Sequence, residues 1–323
     1  MPSLTQIQPA AEAPSLFSHI RKWAEFVKIS HTVFALPFAV ASMALAARDQ
    51  RGWPGWRIFL LVLAAMVCAR TCAMAFNRIA DREFDRANPR TAGRHLPAGK
   101  ISLGGAWALC LGSAAGLVAV SCLINPLCFW LSPVALFFVC FYSLTKRFTD
   151  FTHIFLGVAL GLAPLGAWMA VKGSFQLFPA GHGWRTMQYS AMLPTLLAVA
   201  VVFWLIGFDI IYALQDYEFD RQNRLHSLVV RWGVANSLSA SALAHMIMWM
   251  ILVVFGFLAG FKFPYWLGLV FILGCLLLEH WLARRRGLDW VQQAFFRLNA
   301  VISIVFLVVT LIEIVFPFMR YRS

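Results

Sequence analysis

The first acidic motif of this chain reads Asn77-Arg-Ile-Ala-Asp81-Arg-Glu-Phe-Asp85-Arg86, and it begins where a long apolar segment runs out into polar sequence. The second acidic motif, at the end of another apolar segment, reads Asp209-Ile-Ile-Tyr-Ala-Leu-Gln-Asp216-Tyr-Glu-Phe-Asp220-Arg221. Their last six residues are nearly identical, Asp-Arg-Glu-Phe-Asp-Arg in the first and Asp-Tyr-Glu-Phe-Asp-Arg in the second. The two motifs hold half of the chain's 14 acidic residues, namely Asp81, Glu83, Asp85, Asp209, Asp216, Glu218 and Asp220.

The composition is typical of a membrane protein. Of the 323 residues, 61% are hydrophobic and 13% are charged, and the mean hydropathy is +0.73. A soluble domain has about 25% charged residues, so the sequence predicts an all-α protein with several membrane-spanning helices. The net charge is +13, but the basic residues lie in short loops between apolar runs, where they more commonly set membrane orientation or meet phosphates. We therefore expect the lipid bilayer as a partner and no nucleic acid.

The apolar runs predict nine membrane-spanning helices, since a span needs about 20 mostly apolar residues. Residues 1–20 have no continuous apolar core and are expected to form a mobile tail, which leaves 21–323 as a single transmembrane domain. The predicted spans cover residues 23–47, 57–82, 103–123, 126–144, 152–171, 190–215, 233–259, 264–284 and 293–316.

The basic residues also predict the orientation. With nine spans, most of the 27 Lys and Arg residues fall on the side that holds the N-terminus. The positive-inside rule makes that side cytoplasmic. Both acidic motifs fall on the same side, so the sequence predicts a multi-pass membrane protein whose acidic motifs face the cytoplasm.

Both motifs place polar side chains in a stripe along one helix face, because residues four apart lie above one another. Stacked carboxylates repel each other by roughly a few tenths of a kcal/mol per pair, and burial near the membrane adds a desolvation cost. A cation relieves both costs. The stripes comprise Asn77, Asp81 and Asp85 in the first motif and Asp209, Tyr212, Asp216 and Asp220 in the second.

The ligand chemistry favours Mg²⁺ with phosphate. Carboxylate oxygens, water and phosphate oxygens are the ligands that Mg²⁺ prefers, and the arginines around the first motif suit a cation that arrives with phosphates. The alternative is that these acids are solvated and form ordinary ion pairs. The repetition of the motif on one side of the membrane favours the cation site.

The motifs of this sequence resemble those of a known family. The patterns Asn77-x-x-x-Asp81-x-x-x-Asp85 and Asp209-x-x-Tyr212-Ala-x-x-Asp216-x-x-x-Asp220 are similar to the two aspartate-rich motifs of the UbiA-type intramembrane prenyltransferases. The loop Arg90-Thr-Ala-Gly-Arg94-x-Leu-Pro97-x-Gly99 resembles the loop after their first motif. The stretch Tyr142-Ser-Leu-Thr-Lys146-Arg147 resembles their Tyr-x-x-x-Lys motif.

The resemblance implies a nine-helix bundle around a central cavity that opens to the bilayer. Polyprenyl diphosphate would be held by Mg²⁺ between the two motifs, and its prenyl group would be transferred to an aromatic ring. Many members have Asn-Asp at the start of the first motif, whereas this chain has Asn77-Arg78. The implied metal ligands are therefore Asp81, Asp85, Asp216 and Asp220, with Asn77 as a neutral oxygen donor.

The remaining site residues are assigned by chemistry and by the motifs. Basic side chains stabilise the diphosphate that departs, and solvated interfacial charges are the alternative. Asp209 is the candidate for orienting or activating the acceptor hydroxyl, and Asp150 is a candidate for supporting the second motif. The candidates for substrate binding are Arg82, Arg94 and Lys146 for the diphosphate, together with Asn77, Tyr142 and Tyr212 of the motifs.

Arg70 is the only Lys or Arg deep within a predicted span, and a buried arginine costs roughly a few kcal/mol unless it is paired. Our hypothesis is that it binds the carboxylate of an aromatic acid or helps to hold the diphosphate. The alternative is a structural role beside a buried acid or backbone carbonyls. His153, His245 and His280 have no metal-ligand spacing, so we interpret them as core or interfacial histidines.

The resemblance, closest to a bacterial branch of the family, predicts transfer of a polyprenyl group to 4-hydroxybenzoate or a related hydroxylated naphthoate in ubiquinone or menaquinone biosynthesis. It also implies a location in the bacterial inner membrane. One competing enzyme is a CDP-alcohol phosphotransferase, which would have one compact aspartate cluster instead of two distant ones. A non-enzyme alternative is a transporter built from repeats, for which charged groups near the bilayer midplane are expected. Prenyl length and oligomeric state do not follow from the sequence.

Overall fold

The computed structural model describes residues 16–28, 34–178, 188–223, 225–285 and 294–316, and within these ranges it contains helices and no strands. Short 3₁₀ turns follow three of the helices, at Arg48–Gln50, Tyr142–Arg147 and Leu214–Asp216. The helices are α1 (Leu16–Phe26), α2 (Leu36–Ala46), α3 (Trp56–Ala80), α4 (Arg82–Ala87), α5 (Leu103–Ile124), α6 (Pro126–Phe141), α7 (Thr152–Lys172), α8 (Met192–Ala213), α9 (Tyr217–Gln222), α10 (Leu228–Ala259), α11 (Phe263–Arg285) and α12 (Ala294–Val315).

Eight segments of the described chain are long and apolar enough to cross a membrane. They correspond to the second through ninth predicted spans, so the prediction of an all-α, multi-pass integral membrane protein is confirmed. The eight segments are Trp56–Ala80, Leu103–Ile124, Pro126–Arg147, Thr152–Lys172, Met192–Gln222, Leu228–Ala259, Phe263–Arg285 and Phe295–Val315.

The first predicted span, 23–47, differs from the structure. Helix α2 has 11 residues, which gives a length of about 16 Å, against roughly 30 Å for the apolar core of a bilayer. It carries Pro37 in its first turn, where the missing N–H breaks no helical hydrogen bond. Residues 29–33, between α1 and α2, lie outside the described residues, so a ninth span stays a prediction. Of the predicted tail 1–20, residues 1–15 also lie outside them.

Helix α10 begins earlier than the predicted 233. It starts at Leu228 and bends at Gly233, where φ is 77° and ψ is 163°, a conformation that glycine adopts without the steric cost of a Cβ. The predicted polar loop 172–189 begins as expected, since 175–178 carry no helix. Residues 179–187 of that loop lie outside the described residues.

Helices α7 and α8 pack closely because two glycines of α7 face the backbone of α8. A methyl group on Gly157 would come within 2.8 Å of the carbonyl oxygen of Val202, and one on Gly161 within 3.0 Å of that of Ala198. Rising residue number on α7 meets falling residue number on α8, so the two helices run antiparallel. Small residues at such contacts are how helix backbones approach each other in membranes.

The largest apolar core joins α2, α8, α10, α11 and α12. Trp204 of α8 is fully buried there against Phe38 of α2, with ring centroids 5.1 Å apart. On the other side of the bundle, α3 packs on α5 and α6. The acidic motifs follow α3 on one side and α8 on the other, so the space between the two halves of the bundle is where they meet.

Candidate active site

Both acidic motifs have the same local structure. In the first, α3 ends at Ala80, and Asp81 (φ −91°, ψ 8°) leads into the short helix α4. In the second, Asp216 (φ −101°, ψ 4°) leads into the short helix α9. This sparsely populated backbone region is common at active-site residues. In each motif the break turns the last carboxylate, Asp85 or Asp220, back toward the bundle, where both are buried.

The two motifs line one cavity of about 260 Å³. Arg82, a predicted diphosphate-binding residue, does not line it. Its Nε donates to Glu83 Oε1 at 2.8 Å, and the Glu83 side chain is exposed. The predicted residues that the cavity brings together are Arg70, Asn77, Asp81, Asp85, Arg94, Tyr142, Lys146, Asp209, Tyr212, Asp216 and Asp220.

The first motif is held mainly by residues near it in sequence. Asn77 Nδ2 donates to Asp81 Oδ2 at 2.9 Å, and Arg94 Nη1 donates to Asp85 Oδ1 at 2.6 Å. Arg78 Nη1 lies 3.8 Å from Asp85 Oδ2. That buried Oδ2 accepts no hydrogen bond from the described residues, which leaves it as a candidate ligand for a cation.

The second motif is held by the loop that follows the first. Arg90 Nε donates to Asp216 Oδ1 at 2.8 Å, and Asn88 Nδ2 donates to the same oxygen at 3.0 Å. Arg90 Nη1 also lies 3.3 Å from the hydroxyl of Tyr212, whose ring centroid is 5.6 Å from Arg90 Cζ. Neither Arg90 nor Asn88 was among the predicted site residues, although both stand in or beside the Arg90–Gly99 loop that pointed to the site.

Lys146 supplies positive charge between the motifs. It lies in the 3₁₀ turn after α6 and lines the cavity. Within the described residues it forms no ion pair shorter than 4 Å, while it interacts electrostatically with acids of both motifs, Asp81 on one side and Asp209, Asp216 and Asp220 on the other. Its neighbour Arg147 donates from Nη2 to the carbonyl of Ala80 at 2.7 Å, which ties this turn to the end of α3.

Burial and neighbouring charges shift the pKa values of several ionisable groups that line the cavity. Burial raises the pKa of Asp81 above its ordinary value, and the charge of Lys146 only partly opposes that effect. Burial would lower the pKa of Arg90, but the hydrogen bonds and charge interactions with Asp216 and Tyr212 together outweigh burial and raise it. Burial lowers the pKa of Lys28, another residue of the cavity wall. Asp81 is therefore a carboxylate whose charged form gains from an added cation.

Arg70 lies where this cavity meets a second one of about 450 Å³, whose lining is mainly apolar. Arg70, Tyr142 and Leu160 line both cavities. In the described part of the chain the Arg70 guanidinium has no hydrogen-bond or ion-pair partner, and its Nε is buried. The structural alternative for Arg70, a buried acid or backbone carbonyl beside it, thus has no counterpart among those residues.

The donor set fits Mg²⁺ bound together with phosphate. It consists of the hard oxygens of Asp81, Asp85, Asp216 and Asp220, with Asn77 beside them. No three His, Cys, Asp or Glu side chains of the described ranges lie close enough to hold a metal ion by themselves. Mg²⁺ commonly takes one or two carboxylates and completes its shell with water and substrate phosphates.

Two further residues have partners that the sequence did not indicate. His153, interpreted above as a core or interfacial histidine, is buried with its Nδ1 2.6 Å from Asp209 Oδ2. No sequence signal points to this pair, since 56 positions separate its members. Asp150 accepts from Arg231 Nη1 at 2.9 Å and lies 3.0 Å from His226 Nδ1. It does not line the cavity, so its predicted support of the second motif is at most indirect.

Known proteins resemble the chain over most of its length. Residues 35–301 match the UbiA prenyltransferase family. A 4-hydroxybenzoate octaprenyltransferase of Paraburkholderia phytofirmans is 31% identical over 238 residues, which make up 73% of this chain and 76% of that protein. A protein of the same name from Cupriavidus metallidurans is 27% identical over 277 residues, 85% of this chain and 88% of that one.

Solved structures share the fold. The apo structure of a UbiA homolog from Aeropyrum pernix K1 superposes with a TM-score of 0.74 at 30% identity, covering 88% of this chain and 98% of that one. A UbiA homolog from Archaeoglobus fulgidus, bound to GPP and Mg²⁺, superposes with a TM-score of 0.67 at 19% identity, covering 91% and 99%. The second likeness concerns the fold alone.

Proposed function

Since this chain is a prenyltransferase that belongs to the UbiA prenyltransferase family, we propose that it transfers a polyprenyl group from polyprenyl diphosphate to an aromatic acid, with Mg²⁺ as cofactor. The acceptor is 4-hydroxybenzoate or a related hydroxynaphthoate, and the product serves ubiquinone or menaquinone biosynthesis. The single observation that carries the proposal is that both acidic motifs line one cavity together with cationic side chains, among them Arg70, Arg90, Arg94 and Lys146.

The diphosphate occupies the polar cavity. Asp81, Asp85, Asp216 and Asp220, with Asn77, would hold Mg²⁺, which when bound supplies positive charge for the departing diphosphate. Arg94 and Lys146 are predicted to bind the diphosphate oxygens, and Arg90 joins them on its geometry. These cations stabilise the negative charge that develops as the allylic C–O bond breaks. A homolog with this fold has been solved with GPP and Mg²⁺, which supports the assignment.

The prenyl chain extends into the second cavity. Its lining is almost entirely apolar, with side chains such as Val62, Met66, Leu131 and Leu165. Burial of a hydrocarbon chain there contributes about 25 cal/mol per Å² of apolar surface removed from water. The same lining keeps water away from the allylic cation, which must react with the aromatic ring before it is hydrolysed.

The aromatic acid binds at the junction of the two cavities. The Arg70 guanidinium, which has no partner among the described residues, is suited to a carboxylate, which it can bind through two parallel hydrogen bonds. Asp209 lines the same polar cavity and orients or activates the acceptor hydroxyl. The relatives named 4-hydroxybenzoate octaprenyltransferase support an acceptor with a hydroxyl and a carboxylate. Most Lys and Arg residues of the loops fall on the side of the membrane that holds the acidic motifs. This excess supports an inner-membrane protein with a cytoplasmic active site.

The decisive experiment uses membranes that contain the expressed chain. They are incubated with radiolabelled aromatic acids, polyprenyl diphosphates and Mg²⁺, and lipid-soluble radioactivity is measured. We expect product that disappears with EDTA and in Asp81→Ala and Asp216→Ala. Asp49→Ala is the matched control, because Asp49 pairs loosely with Lys172 and does not line the cavity. Absence of product with every aromatic acid, from wild-type protein at normal levels, would refute the proposal.

A further inference from the structure

His153 and Asp209 form a pair that neither acidic motif explains. His153 is the second residue of α7, its side chain is only 5% exposed, and its Nδ1 lies 2.6 Å from Asp209 Oδ2. Asp209 keeps 21% of its side chain exposed and lines the polar cavity. His153 is therefore buried in the protein, whereas Asp209 faces the polar cavity in which the reaction is proposed to occur.

The close packing of α7 on α8 positions the pair. Gly161 packs directly against the backbone of Ala198, and Gly157 packs directly against the backbone of Val202. Residues four apart share a helix face, so His153 continues the row of Gly157 and Gly161. Asp209 lies seven residues, nearly two turns, after Val202 and continues the row on α8. The two glycines thus bring the His153 ring against the Asp209 carboxylate.

The hydrogen bond has a defined direction when Asp209 is ionised, as a proton acceptor must be. An ionised carboxylate only accepts, so Nδ1 of His153 carries the proton and donates it to Oδ2. His153 Nε2 is buried and has no partner among the described residues, which suits the neutral ring better than the doubly protonated one. Asp209 Oδ1 has no hydrogen bond with those residues and remains available to a ligand.

We propose that His153 is a positioning residue for acceptor activation, which holds the Asp209 carboxylate so that Oδ1 takes the proton of the acceptor hydroxyl. This inference rests on the proposed prenyl transfer. The O–H electrons stay on oxygen, and the neighbouring ring carbon forms a C–C bond with the prenyl carbon as the prenyl C–O bond breaks. The departing diphosphate keeps that electron pair and accepts the ring proton, while Asp209 returns its proton to the acceptor oxygen.

His153→Asn and His153→Gln test the assignment as a matched pair. Asparagine places an amide nitrogen near the position of Nδ1, and glutamine places one near that of Nε2. General acid–base groups contribute about 10²–10⁴-fold to rate, and loss of orientation forfeits part of this. We therefore expect His153→Gln to lower kcat for prenyl transfer by about 10-fold or more, with KM for the prenyl diphosphate nearly unchanged. His153→Asn should recover most of the lost rate.

The measurement follows prenylated aromatic product and the prenyl alcohol formed by hydrolysis, in the same reactions. A rise in the ratio of alcohol to product for His153→Gln, and its reversal in His153→Asn, supports the role. His280→Gln is the control, since His280 pairs with His245 away from the cavity. Equal rates in the Asn and Gln variants, or a change confined to KM for the diphosphate, would overturn the role of His153. The proposed function would still stand if the wild-type protein forms prenylated product. No product from the wild type overturns both.

Discussion

The two acidic motifs end in nearly the same six residues, and in both a central aspartate leads into a short helix, but their surroundings differ. The central carboxylate of the first motif, Asp81, accepts from the neutral amide of Asn77. The central carboxylate of the second, Asp216, accepts from the cationic Arg90 and from Asn88, both of the loop after the first motif. The same loop supplies Arg94 to Asp85. A sequence repeat thus becomes an asymmetric pair joined by one loop. Among the described residues, the first central carboxylate, Asp81, has no ion-pair partner within 4 Å, whereas Asp216 pairs with Arg90.

The asymmetry matters for metal binding. A carboxylate without a bound cation gains more from an added one, and burial, which raises the pKa of Asp81, increases that gain. Asp216 already forms an ion pair with Arg90, which neutralises part of its charge. We infer that the first motif depends more strongly on Mg²⁺, and that the second depends more strongly on the loop.

Removal of either central carboxylate should have the largest effect. Asp81→Ala and Asp216→Ala are each expected to lower prenyl transfer by at least about 100-fold, the size of losing one preorganised transition-state contact. The isosteric Asp81→Asn should raise the Mg²⁺ concentration for half-maximal rate more than Asp216→Asn does. Rate against Mg²⁺ concentration measures this. Equal shifts in the two Asn variants would contradict the asymmetry.

Loss of the loop cation comes next. Arg90→Ala is expected to lower kcat/KM for the prenyl diphosphate by about 10- to 100-fold, because a hydrogen bond to a charged group contributes about 1.5–3 kcal/mol. Arg86→Ala is the control, since Arg86 pairs with the exposed Glu83 and does not line the cavity. Equal losses in the two variants would show that general positive charge, and not the tie to Asp216, matters. Arg82→Ala, assayed beside them, tests the predicted diphosphate contact of Arg82.

Arg70 tests whether the acceptor site is separate from both motifs. Arg70→Ala should raise KM for the aromatic acid by about 10-fold, the size of one lost charged hydrogen bond, with KM for the prenyl diphosphate nearly unchanged. Steady-state kinetics with each substrate varied in turn measure the two constants. If KM for the aromatic acid is unchanged while the protein is present at its normal level, Arg70 does not bind the acceptor carboxylate. A rise confined to the diphosphate KM assigns Arg70 to that substrate instead.

Replacement of Asp150 is expected to have the smallest effect, and it acts on stability. It bears on the comparison of the two motifs because its partners, Arg231 and His226, follow the second motif. Burial would raise the pKa of Asp150, but hydrogen bonds from Arg231 and His226 outweigh it and hold that pKa below its ordinary value. Such a group stabilises the fold above its unfolded pKa of about 3.9, and this contribution is lost as pH falls through the lower folded-state pKa.

Arg231 and His226 are more than half exposed, so solvent limits the contribution of Asp150 to about 0.2–1 kcal/mol. Thermal unfolding of Asp150→Asn in detergent should show a small loss of stability near pH 7 that shrinks at acidic pH. A difference that grows as the pH falls would contradict this linkage.

The sequence by itself determined the fold class, the eight described segments that are long and apolar enough to cross a membrane, and most of the predicted residues that share one cavity. Apolar runs of about 20 residues specify such helices locally, and scarce acids concentrated twice in a membrane protein mark a functional site. It did not determine the first span, because residues 23–47 are apolar enough to be read as one helix while the structure has two, α1 and α2, with Pro37 in the first turn of α2.

Only the tertiary structure decided which partners each carboxylate has. Arg90 reaches Asp216 across 126 positions and His153 reaches Asp209 across 56, and no local periodicity encodes such pairs. They depend on how α3 and α8 face each other and on how closely the glycines of α7 let α8 approach. The repeat in the sequence predicted two similar halves of one site. Packing made them unequal, because a single loop, 88–94, follows only the first motif and supplies cations to both.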